Sequence, residues 1–171
     1  AIFSTSISFH IEEPGLSHQV EALQVPPPEE LESDFDRWSR LAKENPGVIE
    51  PPLVHPIERK HVRPRDYLNP QPQEPQQQIW FRALGDLGDD LTRHQTLLAF
   101  ISDFGLLGSA LLPHPYTGMN TDMQAASLDH ALWFHQPFKA DDYLLYCLDS
   151  PIAAGARGFS RGSFYTRDGI L

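Results

Sequence analysis

The segment LTRHQTLLAFISDFGLLGSALL (91–112) decides how the fold is read. Leu91, His94, Leu98, Ile101, Gly105, Gly108 and Leu112 recur at alternating intervals of three and four residues, the repeat of one helix face. Leu97, Phe100, Phe104, Leu107 and Leu111 make a second apolar stripe, and a helix that is apolar on more than one face is a buried helix. Asp89 or Asp90 stands where a cap is needed, and Pro113 ends the run. Gly105 and Gly108 strip side chains from one face, which admits a sheet at close range. Each costs about 1 kcal/mol of helix propensity against Ala, so packing must compensate. Asp103 is expected to bond locally or across that sheet.

Downstream the pattern changes period. Ser127–His135, Asp142–Asp149 and Gly158–Thr166 read as three strands, broken at Pro137 and at Ala153-Ala154-Gly155. Asp168-Gly169 is a hairpin-turn signal, after which Ile170-Leu171 begins another strand. Upstream, residues 79–84 (IWFRAL) read as a short strand and Gly85–Asp90 as a turn. Strand, one long buried helix and an antiparallel meander make an α+β domain. Periodicity alone does not choose among α+β arrangements.

The N-terminal part has a different texture. Residues 1–11, AIFSTSISFHI, alternate like a strand, with Phe3, Thr5, Ile7 and Phe9 on one face. Between Pro26 and Pro75 lie eleven of the sixteen prolines, which resist both helix and sheet interiors. One helix is expected there, opened by Pro27, Pro28, Glu29 and Glu30, carrying Phe35, Trp38 and Leu41, and stopped at Asn45-Pro46-Gly47. Such aromatics in a connector predict packing on a surface. Residues 69–78, NPQPQEPQQQ, read as a loop or hinge. Both ends of the chain fall inside strand-like runs, so a longer polypeptide is expected.

A net charge of −10 and a pI near 5.1 argue against a nucleic-acid partner. The single cysteine, Cys147, excludes an internal disulfide framework. The longest apolar stretch, Leu97–Leu112, is shorter than the roughly 20 residues of a membrane span and is interrupted by Asp103, so no span is expected. His130 and His135 fall on opposite faces of a strand, and no other histidines show ligand spacing, so no metal is expected. Gly155, Gly158 and Gly162 lack the dinucleotide fingerprint and its strand-to-helix context.

Several long strings are specific in wording and order. SLDHALWFHQPF (127–138), DYLLYCLDSP (142–151) and ARGFSRGSFYTRDGIL (156–171) resemble the second half of the acyl-CoA thioesterase II family. IFSTSISFH (2–10), GLSHQ (15–19), VPPPEEL (25–31) and AFISDFGLLGSAL (99–111) extend the resemblance upstream. The resemblance implies a hotdog fold, an antiparallel sheet wrapped around one long buried helix, with two such modules in tandem. Residues 1–11 would be the last strand of the first module, 12–78 the inter-module linker, and 79–171 the second module without its final strand. It also implies hydrolysis of acyl-CoA to CoA and a fatty acid without a cofactor. Acyl-CoA is then the small-molecule partner, and a homo-oligomer formed through sheet or module packing is expected. The bacterial cytoplasm is the default compartment, with a peroxisome left open.

Within that resemblance the water-activating aspartate corresponds to Asp129, and the hydroxyl residue to Ser150 beside Pro151. The accompanying glutamine is expected beyond Leu171. Asp129 is unusual without the resemblance too, because Asp is disfavoured in strands. CoA carries phosphates, and residues 58–65 (ERKHVRPR) set Arg59, Lys60, Arg63 and Arg65 against Glu58. Arg157 and Arg161 share one strand face by alternation. Arg59, Lys60 and Arg157 are the candidate substrate contacts. Two other functions stay open: a non-catalytic acyl-CoA-binding module, and a hotdog dehydratase using His130.

Overall fold

The computed structural model describes residues 3–11, 13–118, 120 and 122–171. Strands β1 (Ile57–His61), β2 (Gln76–Ala83), β3 (Leu144–Ala154) and β4 (Arg157–Thr166) form one antiparallel sheet in that order. Their alternation explains the pairing. Ile79 lies opposite Tyr146 and Phe81 opposite Leu144, so one face collects Ile57, Ile79, Phe81, Tyr146 and Leu148. The opposite face collects Trp80, Tyr143, Leu145 and Tyr165. A sheet with two apolar faces needs cover on both.

The first face is covered by two helices that follow β2 in the chain. Helix α2 (Leu91–Ile101) starts at Asp90, whose Oδ1 accepts from Thr92 N at 3.0 Å. Helix α3 (Leu106–Leu111) follows after a break at 102–105. The single long helix expected over 91–112 is therefore divided. Gly105 carries φ +85, which L side chains rarely adopt, and a Cβ there would sit 3.3 Å from Ile79 Cδ1 and Leu148 Cδ1. Both the turn and the approach to the sheet require glycine. Burial is on one side: Ile101 is fully buried, while Phe100 and Leu107 are 54% and 51% exposed.

The second face is covered by the connector. Ala22, Val25 and Leu31 pack against it, Trp80 Nε1 donates to Pro26 O at 3.0 Å, and Lys60 Nζ donates to Pro28 O at 2.9 Å. Helix α1 (Asp34–Glu44) is capped by Ser33, whose Oγ accepts from Asp36 N. Asp34 then binds α1 to β1 through His61 Nδ1 (2.8 Å) and Arg59 (3.4 Å), with Arg37 on the same carboxylate. Burial pushes the Asp34 carboxyl up, but the His61 bond and the Arg37 and Arg59 charges outweigh it and hold it below its ordinary value. Trp38 packs on Tyr67 with ring centroids 5.0 Å apart. The expected short helix and its packing are present, but the helix opens at Asp34 behind Ser33, while Pro28–Glu30 form a separate 3-10 turn ahead of it.

Four local expectations about strands change. β1 lies within the run read as linker, and β2 begins at Gln76, inside the stretch read as loop. Pro56 and Pro75 stand just before these strands, where a missing N–H is tolerated, so proline density concealed them. Residues 127–135, expected as a strand, form no ladder and are largely exposed. Residues 3–11 are likewise exposed and unpaired among the described residues. Alternation is a necessary condition for a strand, but a ladder also needs a neighbouring backbone, and neither run has one here. The remaining strands are where alternation puts them, with β3 continuing to Ala154 before a two-residue turn at Gly155 and Ala156. No helix among the described residues is long and apolar enough to cross a membrane.

The β3–β4 hairpin gives two predictions of opposite sign. A Cβ on Gly162 would lie 2.3 Å from Cε2 of Tyr146, whose ring is stacked on Phe164 at 3.7 Å and whose hydroxyl is bonded to Ser102 O. Gly162→Ala is expected to lose about 1–3 kcal/mol in urea unfolding through overpacking. Ala156 sits at φ +58, a conformation that costs an L residue about 1–2 kcal/mol, so Ala156→Gly is expected to leave stability unchanged or raise it. A stable Gly162→Ala protein, or an Ala156→Gly protein with a clearly lowered midpoint, would contradict this packing.

Candidate active site

Ser102 is the organising residue of the helix break. It is 1% exposed, and three bonds converge on it. Its Oγ donates to Ala99 O at 2.8 Å, its carbonyl accepts from Tyr146 Oη at 2.9 Å, and its Oγ lies 2.9 Å from His130 Nε2. Burial, and then the Asp103 carboxylate, push the Tyr146 phenol above its ordinary value, so it remains a neutral donor. Asp103 is exposed at the same break and accepts from Ser127 Oγ at 3.4 Å.

These bonds tether the 127–130 segment at both ends, and Asp129 lies between the two tethers. Its carboxylate is exposed and has no hydrogen-bond or ion-pair partner among the described residues. It lines a cleft of about 1240 Å³ bounded by the α2–α3 break, the 123–138 segment and the β3–β4 hairpin. Leu106, Ala110, Trp133, Phe134 and Phe159 supply apolar wall, and Asp103, Asp129 and His130 supply polar groups at one place. This is the usual composition of a ligand pocket: apolar walls with a few convergent polar groups.

Ser150 is elsewhere. It lies in the irregular stretch of β3 between Asp149 and Ile152, is 5% exposed, and donates from Oγ to Phe159 O at 2.7 Å. It is not part of the cleft lining, so the structure does not bring its hydroxyl together with Asp129. Pro151 follows it as the first exposed residue of the strand.

The basic residues also separate. Arg59 and Lys60 lie on β1, engaged with Asp34 and with Pro28 O, and neither lines the cleft. Arg65 is buried, donating to the carbonyls of Gln71, Leu111, His114 and Tyr116, and burial pulls its pKa down. Arg161 forks onto Asp149 at 2.9 and 3.0 Å. Arg157 lines the cleft, is exposed, and pairs with no acid among the described residues.

Other chemistries find little support in the side chains. Cys147 is half-buried and burial pushes its thiol up, which disfavours the thiolate a nucleophile requires. Among the described residues, no three metal-ligating side chains come together. Buried His94 accepts from Ala140 N at Nδ1 and reaches Gly88 O from Nε2, which fastens Ala140 to the loop before α2. The residue that sequence reasoning passed over is Ser102. Its signal was a Ser-Asp pair in the middle of an otherwise apolar helical repeat.

Known proteins share this architecture. The acyl-CoA thioesterase family profile matches residues 54–171. Human acyl-coenzyme A thioesterase 8 is 40% identical over 180 residues, covering 99% of this chain and 56% of that protein. Acyl-CoA thioesterase 2 of Haemophilus influenzae is 29% identical over 172 residues, covering 99% and 60%. Among solved structures, acyl-CoA thioesterase II TesB2 from Mycobacterium marinum superposes with a TM-score of 0.70 at 37% identity, over 94% of this chain and 55% of that one. The chain thus spans little more than half the length of these relatives. Its antiparallel sheet packed on a central helical segment is the hotdog fold, and the chain belongs to the acyl-CoA thioesterase family.

Proposed function

We propose that the protein to which this chain belongs hydrolyses acyl-CoA to free CoA and a fatty acid. The observation that carries this reading is Asp129: an unpaired carboxylate, tethered on both sides, on the wall of a cleft with apolar lining. A carboxylate so placed accepts a proton from water as the water oxygen bonds to the thioester carbonyl carbon. The tetrahedral intermediate collapses, the C–S bond breaks, and the CoA sulfur leaves with the electron pair and takes up the proton that Asp129 accepted from water, which restores the carboxylate. Ser150 would join as a second water-orienting group only if its hydroxyl, bonded to Phe159 O outside the cleft lining, were brought to the same water, where its oxygen retains lone pairs. A glutamine expected beyond Leu171 completes the set.

In this reading the sheet and α2–α3 constitute one hotdog module, the preceding connector links it to another, and copies associate through sheet or module packing. Arg157 is the residue placed to meet a CoA phosphate at the cleft. Arg59 and Lys60 would contribute only if Asp34 and the Pro28 carbonyl released them.

The complete polypeptide is to be incubated with medium- and long-chain acyl-CoA while free thiol is followed. Wild type is expected to release CoA. Asp129→Asn is expected to lower kcat by about 100-fold or more with an unchanged melting temperature, the size of a general-base contribution. Ser150→Ala is expected to lower turnover and to cost about 1 kcal/mol, because Phe159 O loses its donor. Undiminished turnover in Asp129→Asn removes the aspartate from the mechanism. Tight acyl-CoA binding by a folded wild type without thiol release supports a non-catalytic binding module instead.

Arg157→Ala is expected to raise KM for acyl-CoA several-fold with kcat retained, and to weaken the salt dependence of KM. A KM equal to that of wild type at low and high salt would exclude a phosphate contact from this residue.

A further inference from the structure

We propose that His130 is a positioning residue, fastened by Ser102, that fixes where the Asp129 carboxylate stands. The inference rests on the reading of Asp129 as the water-activating group. Segment 127–135 has no strand ladder, and its large side chains face solvent, Leu128 at 84% and Trp133 at 72% exposure. Packing therefore does little to hold it. What holds it is the pair of side-chain bonds to the helix break, and these are unequal. Ser127 Oγ to Asp103 Oδ1 is 3.4 Å between exposed groups, whereas His130 Nε2 to Ser102 Oγ is 2.9 Å to a buried one.

The anchor itself is rigid. Ser102 is immobilised through its own Oγ on Ala99 O and through its carbonyl on Tyr146 Oη, and Tyr146 is stacked on Phe164 in the sheet. The hydroxyl has one proton. With that proton on Ala99 O, the oxygen accepts from His130 Nε2–H. The imidazole carries Nε2–H in that neutral tautomer and also when protonated, so the tether survives protonation of the ring. His130 thus passes the geometry of the sheet core to the residue next to it in sequence. Misplacing a catalytic group by about 1 Å costs on the order of 100-fold in rate, so loss of this bond acts on kcat more than on binding.

The test compares His130→Ala, His130→Gln and Ser102→Ala in the complete polypeptide. Three things are read: kcat and KM for acyl-CoA, the pH profile of kcat, and amide hydrogen exchange of the 127–135 peptide. His130→Ala is expected to lose roughly 10- to 100-fold in kcat with KM within about 2-fold, and to exchange faster over 127–135. The acid limb of its kcat profile is expected to stay where wild type has it, since His130 moves no proton in the reaction. His130→Gln, which keeps an amide donor at similar reach, is expected to recover most of both losses. Ser102→Ala is expected to reproduce them, and the double variant to be no worse than the worse single one.

Wild-type exchange and wild-type kcat in His130→Ala would overturn the proposal. So would a shifted acid limb, which would make His130 itself the titrating group. If wild type releases no thiol, the hydrolase reading fails, and the exchange data still decide the tether: acceleration in His130→Ala with recovery in His130→Gln supports it, and unchanged exchange refutes it.

Discussion

Gly105, at φ +85 and with no room for a Cβ between it and the side chains of Ile79 and Leu148, is the constraint on which the rest of the structure depends. It caps the start of α3, four residues after α2 ends at Ile101, and it stands against the sheet. Gln77 reads that geometry from the sheet side, its Nε2 donating to Gly105 O at 2.7 Å and to Ser109 Oγ at 2.9 Å. Ser102 and Asp103 lie in the turn between the two helices, and both line the cleft.

The same break explains why a segment with no ladder is placed at all. Residues 127–130 are held by the polar groups that the break exposes, and through Ser102 and Tyr146 by the aromatic stack of the sheet. Asp129 thus obtains a defined address while keeping a solvated, unpaired carboxylate. A buried carboxylate would have needed a partner, as Asp34 does with His61, Arg37 and Arg59.

The second face of the sheet shows how the charges are distributed. The connector over 22–44 covers Trp80, Leu145 and Tyr165, and the basic run at 58–65 holds it there. Arg59, Lys60 and Arg65 serve as internal struts, and Arg161 is committed to Asp149. A local excess of positive charge along the chain is therefore mostly spent on acids and carbonyls of the same chain. Arg157 differs because it lies at the hairpin turn, where no acid stands opposite it.

Much of this was legible in the chain itself. Period-2 alternation located β3, β4 and the core of β2, since the faces of a strand are separated by strict parity and core residues such as Tyr146 and Leu148 must share one. The helical repeat located α2 and α3, the spacing of Phe35, Trp38 and Leu41 with the Asn45-Pro46-Gly47 stop located α1, and the family resemblance carried by SLDH pointed to Asp129 as a candidate. What periodicity could not register was the division at Gly105, because a three-four repeat continues through a left-handed residue unchanged. Nor could it register which runs would find a partner: Ile57–His61 did, without alternation and within a proline-rich stretch, and Ser127–His135 did not. Local side-chain pattern is a property of the chain, whereas ladder pairing, the burial of Ser102 and the separation of Ser150 from the cleft depend on atoms distant in sequence. Those were decided only when the sheet closed on the helix break.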